Sequence, residues 1–133
     1  MGVWGPGNLE EDTAEEHLNW LLQPLLQQIA ETAGNPTAME PDEYDSVAMM
    51  CNIEIIACLA EGIGTNADEG RLHLPVAMPS VQTVRTWRSA YLEVWDDHIV
   101  KLGASDQHRE QRRAVIVRTF ERLERVAAFA EGK

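Results

Sequence analysis

Basic residues are nearly missing from the first half of this sequence. Residues 1–84 contain fourteen Asp and Glu side chains but a single basic one, Arg71, whereas residues 85–133 contain eight acidic and ten basic side chains. The formal net charge of −11 over 133 residues therefore arises in the first half. Such a surface repels phosphate backbones, which argues against nucleic acid as a direct ligand of that half, and it attracts basic proteins.

Cysteine is also scarce, since Cys51 and Cys58 are the only two. On a helix, a spacing of seven residues separates their Cα atoms by roughly 10 Å. A disulfide tolerates a separation of at most about 7 Å. We therefore expect both cysteines to be reduced and packed in the core, as suits a cytoplasmic protein.

The sequence lacks a long apolar run, and its N-terminus lacks the basic and apolar segments of a secretory signal. It predicts neither a membrane span nor export. The apolar fraction of 44% and the charged fraction of 25% are typical of globular proteins. We expect one helical domain, residues 1–133, located in the cytoplasm.

The first of four predicted helices carries leucines at spacings of three and four residues. Asp12 or Thr13 is the expected N-cap, and Gly34 is the expected end. Pro24 lies inside this helix and is expected to kink it or to split it into two segments. The spacing therefore indicates an amphipathic helix with one weak point.

The second predicted helix begins near Asp42 or Asp45 and ends at Gly62. Apolar residues cover most of its circumference, which indicates the central and most buried helix. A third helix is predicted from a cap at Ser80 to Gly103, and a fourth from about 105 to about 130.

The last two helices complete the predicted fold. Trp87, Tyr91 and Trp95 share one face of the third helix, at about 100° per residue. The inward stripe of the fourth contains Ile116, Phe120, Leu123 and Ala127, with Arg118, Arg122 and Arg125 expected on its opposite side. The fold class is therefore all-α, an irregular four-helix bundle with an ordered N-terminal Gly/Trp loop and a long loop at about 62–79.

The N-terminal segment carries a resemblance to a known family. Residues 1–7, Met-Gly-Val-Trp-Gly-Pro-Gly, are followed by Asp12-Thr13-Ala14. This segment resembles the opening of the bacterial domain-of-unknown-function 4259 family, which begins Met-Gly-x-Trp-Gly-x-Gly and continues with Asp-x-Ala into a helix. The family's central helix with one glutamate is similar to the helix that carries Glu54. The resemblance implies a small bacterial cytosolic helical domain, and it supplies no catalytic residues.

Two groups of acidic residues are the main candidates for binding a partner. Because helix N-termini favour acidic side chains on electrostatic grounds, both groups can be solvated faces. They can also steer a basic protein toward the surface. The first acidic ridge consists of Glu10, Glu11, Asp12, Glu15 and Glu16, and the second acidic ridge consists of Glu40, Asp42, Glu43 and Asp45.

Trp4 and Glu54 are the two remaining candidates. Trp4 lies among three glycines and either anchors a partner or folds back into the core. Glu54 interrupts the apolar second helix. A buried carboxylate there needs a partner or a raised pKa, and it can then contact a ligand in an inter-helix pocket. Alternatively, Glu54 forms a salt bridge to an arginine of the third or fourth helix, or is exposed beside Glu61.

The sequence contains no recognisable catalytic or metal-binding constellation. Asp96-Asp97-His98 suggests metal ligation, but adjacent helical residues point in different directions, so a packed histidine is the simpler interpretation. We expect no metal and no cofactor. Intramolecular pairing with the acidic half is the simplest account of Arg109, Arg112 and Arg113.

Three functional hypotheses follow from these patterns. The first is a non-catalytic acidic protein-binding domain, of an immunity or inhibitor type, that neutralises a basic toxin or enzyme. The second is an enzyme or small-ligand-binding protein that uses Glu54 in a pocket between helices. The third is a structural or stress-linked protein that forms a homodimer through the aromatic face of the third helix.

Overall fold

Four α-helices form the described part of the chain. The computed structural model describes residues 8–9, 11–67 and 74–132, and leaves the side chains of 63–67 undescribed. The prediction of an all-α four-helix bundle is confirmed. A 3₁₀ turn over Val100–Leu102 follows the third helix. The helices are α1 (Asp12–Ala33), α2 (Tyr44–Ala67), α3 (Val81–Ile99) and α4 (Asp106–Glu131).

The predicted starts of α3 and α4 are confirmed by their capping hydrogen bonds. The Ser80 hydroxyl accepts a hydrogen bond from the Thr83 amide at 3.0 Å. The Ser105 hydroxyl accepts one from the His108 amide at 3.2 Å. Both bonds satisfy an amide that the first helical turn leaves without a partner. Gly103 follows the 3₁₀ turn at φ 80°, a left-handed conformation that favours glycine.

Helix α1 differs from its prediction in two ways. Glu11, rather than Asp12 or Thr13, stands at the N-cap, and its side chain makes no capping hydrogen bond. The helix also continues through Pro24, so that of the two expected effects of this proline, a kink or a split, the split is wrong. Pro24 lies on the exposed side of α1, where water can bond the carbonyl group that proline leaves without a donor.

Helix α2 continues beyond the predicted end at Gly62 and reaches Ala67. The predicted boundary between helix and loop at Gly62 is therefore wrong, and residues 68–73 of the expected loop lie outside the described part of the chain. A glycine inside a helix costs only about 1 kcal/mol, so Gly62 weakens the helix without ending it. The predicted N-terminal Gly/Trp loop lies outside the described residues.

The helices follow the order α1, α2, α4, α3 around the bundle, because α1 and α4 each pack against α2 and α3. Helices α1 and α2 are antiparallel, and Gln28 of α1 accepts a hydrogen bond from Asn52 of α2 at 3.2 Å. Helices α2 and α4 are parallel, so that residues early in α4 lie beside the start of α2 and Arg122 lies beside its second half. Helices α2 and α3 therefore occupy opposite corners.

The core lies where the four apolar stripes meet. The predicted stripe of α4 is confirmed, since all four of its members are buried. Tyr91 and Trp95 of α3 are also buried, whereas Trp87 is only partly buried. The hydroxyl group of Ser46 donates a hydrogen bond to the Tyr91 hydroxyl oxygen across the core at 3.0 Å. Burial raises the pKa of Tyr91.

Candidate functional site

The structure places the two acidic ridges at opposite ends of the bundle. The first ridge begins α1 and the second begins α2, and these helices are antiparallel. A helix of 22 residues is about 33 Å long at a rise of 1.5 Å per residue. The ridges therefore do not form one continuous binding surface.

The individual ridge residues are mostly exposed. In the first ridge, Asp12 and Glu16 are exposed, whereas Glu11 and Glu15 are half-buried. In the second, Asp42, Glu43 and Asp45 are all exposed and Glu40 is half-buried. Trp4 and Glu10 lie outside the described residues.

A cleft between the end of α1 and the start of α2 lies beside the second ridge, and we call it the α1/α2 cleft. It has a volume of about 230 Å³. The hydrogen bond between Asn52 and Gln28 joins its two walls. The lining side chains come from Gln28, Glu31, Thr32, Asn35, Ala38, Tyr44, Asp45, Ala48, Met49 and Asn52.

The α1/α2 cleft has a negative and largely polar lining. Glu31 and Asp45 bring two carboxylates to it, and none of its lining residues is basic. Glu31 accepts a hydrogen bond from Gln27 at 3.1 Å, which fixes one of its oxygens. Tyr44, which also lines the cleft, is 84% exposed. A cation that enters the cleft therefore meets two carboxylates and an exposed aromatic side chain.

The structure pairs Glu54 with an arginine of α4, as the salt-bridge interpretation predicted. Arg122 donates hydrogen bonds at 2.8 Å to Glu54 and to Glu61. The predicted position of Arg122 opposite the inward stripe is wrong, because it faces α2 and its side chain is only 17% exposed. The thiol of Cys58 donates a further bond to Glu54 at 3.1 Å.

These hydrogen bonds keep Glu54 ionised. The bond from Cys58, followed by the bond from Arg122, lowers the pKa of Glu54. The bond from Arg122 likewise lowers the pKa of Glu61. A general base for chemistry near neutral pH needs a raised pKa. This environment therefore favours a structural ion pair over a catalytic role for Glu54.

An open groove runs between α2 and α4, and we call it the α2/α4 groove. Its volume is about 400 Å³ and its surface is mainly apolar. Val47 and Ile55 line it and are 55% and 51% exposed. Its lining residues are Val47, Met50, Cys51, Glu54, Ile55, Arg112, Val115 and Thr119.

Both cysteines are free and exposed, so the prediction that they pack in the core is wrong. The buried side of α2 contains Met49, Ile53 and Ile56. Positions 51 and 58 lie on its other side, toward the α2/α4 groove and Arg122. Because apolar residues cover most of the circumference of α2, the sequence pattern does not indicate which side of the helix faces the core.

The arginines at the start of α4 pair within the molecule, although their partners differ from those predicted. Arg113 binds both oxygens of Asp96 at 3.0 Å, and Arg109 pairs with Asp106. Both acids belong to the second half of the sequence rather than to the acidic first half. Arg112 lines the α2/α4 groove.

His98 is a packed residue at the end of α3. Its Nδ1 lies 2.8 Å from the carbonyl oxygen of Val94, and its Nε2 lies 3.9 Å from a carboxylate oxygen of Glu40. Within the described ranges, no group of three or more His, Cys, Asp or Glu side chains is placed to hold a metal ion. The helices described here also lack the combination of length and apolar character that a membrane span requires.

No family model, curated protein or solved structure matches this chain. The resemblance to the domain-of-unknown-function 4259 family therefore stays a prediction.

Sequence reasoning did not find the α1/α2 cleft. Asp45 was a candidate through its charge, but Glu31 and Tyr44 were not. The signal available was the short segment 34–43 between α1 and α2, which brings the end of one helix close to the start of the next. Exposed Trp20, at 70%, was missed as well.

Proposed function

We propose that this chain is a non-catalytic acidic domain that binds a basic protein partner at the α1/α2 cleft and the adjoining second acidic ridge. The observation that carries the proposal is the pair of carboxylates, Glu31 and Asp45, in a cleft without a basic lining residue and beside the exposed ring of Tyr44. These features together suit an arginine or lysine side chain.

The size of the cleft supports a protein partner over a drug-sized ligand. Pockets for such ligands usually measure about 300–1,000 Å³, and this cleft measures about 230 Å³. It accommodates one projecting side chain. A guanidinium group can bond a carboxylate in a planar, bidentate manner and stack on tyrosine, which makes arginine the favoured occupant.

The charge around the cleft supports rapid association. Asp42, Glu43 and Asp45 of the second acidic ridge are exposed, and Asp45 lines the cleft. The first acidic ridge at the far end adds to the long-range negative field. Such a field raises the rate of encounter with a basic protein more than it strengthens the final complex. We therefore include an immunity or inhibitor role, in which the domain neutralises a basic toxin or enzyme.

Two surface thiols support a cytoplasmic location as part of the same proposal. Cys51 and Cys58 are exposed and free, and exposed thiols persist best where the environment is reducing. In the cytoplasm, the acidic domain would meet basic proteins that are harmful inside the cell, and these are the partners that we propose.

The proposal is tested by NMR titration of the full chain with two blocked tripeptides, acetyl-Gly-Arg-Gly-amide and its Gln analogue. We expect the Arg peptide to shift the amide resonances of residues 28–35 and 44–52, and the Gln peptide to leave them unchanged. The double variant Glu31→Gln/Asp45→Asn should lose the response. The control Glu16→Gln/Glu93→Gln changes the charge equally at exposed positions outside the cleft and should keep it.

The same variants serve in affinity capture from the native cell. A basic protein that the wild type and the control retain, and that the cleft variant loses, supports the proposal. The proposal fails if the Arg peptide shifts resonances at acidic residues throughout the chain alike, or if cleft and control variants behave the same.

A further inference from the structure

The side of α2 that faces away from the core remains apolar. A helix that is apolar around its whole circumference is normally covered on every side. In α2, however, Val47, Cys51 and Ile55 are exposed at spacings of four residues, along the α2/α4 groove. The described part of the chain leaves this side without a cover.

The α2/α4 groove has a cationic side chain at one end and, at the other, a carboxylate that remains half-exposed although Arg122 binds it. Helices α2 and α4 are parallel, so Arg112, early in α4, lies at the end of the groove near Val47. Glu54 lies at the other end, near Ile55. Cys51 stands midway between Val47 and Ile55 in the sequence of α2. A two-fold rotation about Cys51 therefore brings the Arg112 end of one groove to the Glu54 end of another.

We propose that a second copy of this chain covers the α2/α4 groove and forms a two-fold symmetric dimer. In that dimer the exposed apolar residues of α2 pack against their counterparts, with Cys51 near the axis. Arg112 of each copy faces Glu54 of the other. An interface of this kind is self-complementary, as a closed two-fold dimer requires.

The local charge also favours this face over the two acidic ridges. With a net charge of −11 that arises in the first half of the sequence, two copies repel each other where those ridges meet. Around the groove, however, Arg112, Arg118 and Arg122 lie near Glu54 and Glu61. Two acidic copies can therefore approach here with less repulsion than at either acidic ridge. The proposal rests on the α2/α4 groove and not on the α1/α2 cleft, although the two adjoin along α2, because Tyr44 of the cleft precedes Val47 by three residues and Cys51 by seven.

Sedimentation velocity of the full chain tests the proposal. We expect a concentration-dependent mass that approaches twice the 14.9 kDa of one chain. Because the contact is mainly apolar, the dimer should persist in 0.5 M NaCl. A monomer at every concentration up to about 0.5 mM, or an association that salt abolishes, overturns the proposal.

Variants locate the contact. The double variant Val47→Asp/Ile55→Asp should raise the dissociation constant of the dimer at least tenfold. Trp20→Asp, at an exposed position of α1, should leave that constant unchanged. Circular dichroism checks that the variants are folded. Should the double variant fail to fold, Arg112→Glu replaces it, with Arg85→Glu, at an exposed position of α3 across the bundle from the groove, as its control. Equal effects of a groove variant and its control contradict the proposed interface.

Oxidative cross-linking locates the axis. With copper phenanthroline, Cys58→Ser should still give a disulfide-linked dimer, and Cys51→Ser should not. The opposite pattern, with linkage through Cys58 alone, places the contact elsewhere and refutes the proposed two-fold axis.

Discussion

Replacing three tryptophans by alanine, one at a time, tests the packing of this bundle. Trp95 is 3% exposed in the core, Trp87 is partly buried, and Trp20 is 70% exposed. Truncating a fully buried tryptophan costs about 3–5 kcal/mol, because the cavity left behind closes only in part. An exposed substitution usually changes stability by about 0.5 kcal/mol or less. The stacking of His17 on Trp20 adds little to this, since both rings lie at the surface.

The size of the Trp95 effect makes it easy to measure. For a domain of this length, each kcal/mol lost lowers the melting temperature by about 3–5 °C, between the values for smaller and larger domains. Trp95→Ala should therefore melt about 10–20 °C below the wild type, with Trp87→Ala in between and Trp20→Ala near the wild type. Urea unfolding followed by circular dichroism gives the free energies. A Trp95→Ala variant within 1 kcal/mol of the wild type would refute the described core.

Two further predictions concern the surface of α2. The lowered pKa values of Glu54 and Glu61 mean that their contribution to stability is present above about pH 4.5 and is lost as the pH falls through the lower, folded-state values. Since both side chains are substantially exposed, their contribution to the free energy of unfolding should be about 1 kcal/mol or less. The variant Arg122→Leu should lose less stability between pH 6 and pH 3 than the wild type does, as measured by urea unfolding. Cys51 and Cys58 should both react rapidly with a thiol reagent in dilute native protein, and slow labelling that needs denaturant would contradict their exposure.

The fold was largely predictable because its determinants are local. Ser80 and Ser105 each cap a helix through an amide only three residues away, and Gly103 supplies a left-handed conformation within its own turn. The stripe of α4 repeats every three or four residues and needs no knowledge of the other helices. The end of α2 was not predictable in this way, because Gly62 only weakens a helix and packing against neighbours decides whether it continues.

The candidate site depends on how the helices are arranged, which is why the sequence revealed only part of it. The charge of Asp45 is visible in the sequence, but its proximity to Glu31 follows from the antiparallel pairing of α1 and α2. The same pairing separates the two acidic ridges. Glu54 was correctly singled out as the polar residue of an apolar helix, and its arginine partner, 68 positions away, was identified only by type.

Helix α2 contributes more buried residues than any other helix among the described side chains, as its apolar pattern predicts, but the inference that its cysteines are buried is wrong. An apolar circumference predicts contacts on all sides, whereas the order α1, α2, α4, α3 gives α2 two neighbouring helices and places α3 at the opposite corner. One side of α2 is therefore left outside the core, and it is the side that contains Val47, Cys51 and Ile55. If these apolar residues of α2 are buried when the protein functions, the contacts that bury them must come from outside the core of the four helices. The exposed cysteines and the proposed dimer contact are thus two consequences of the same packing order.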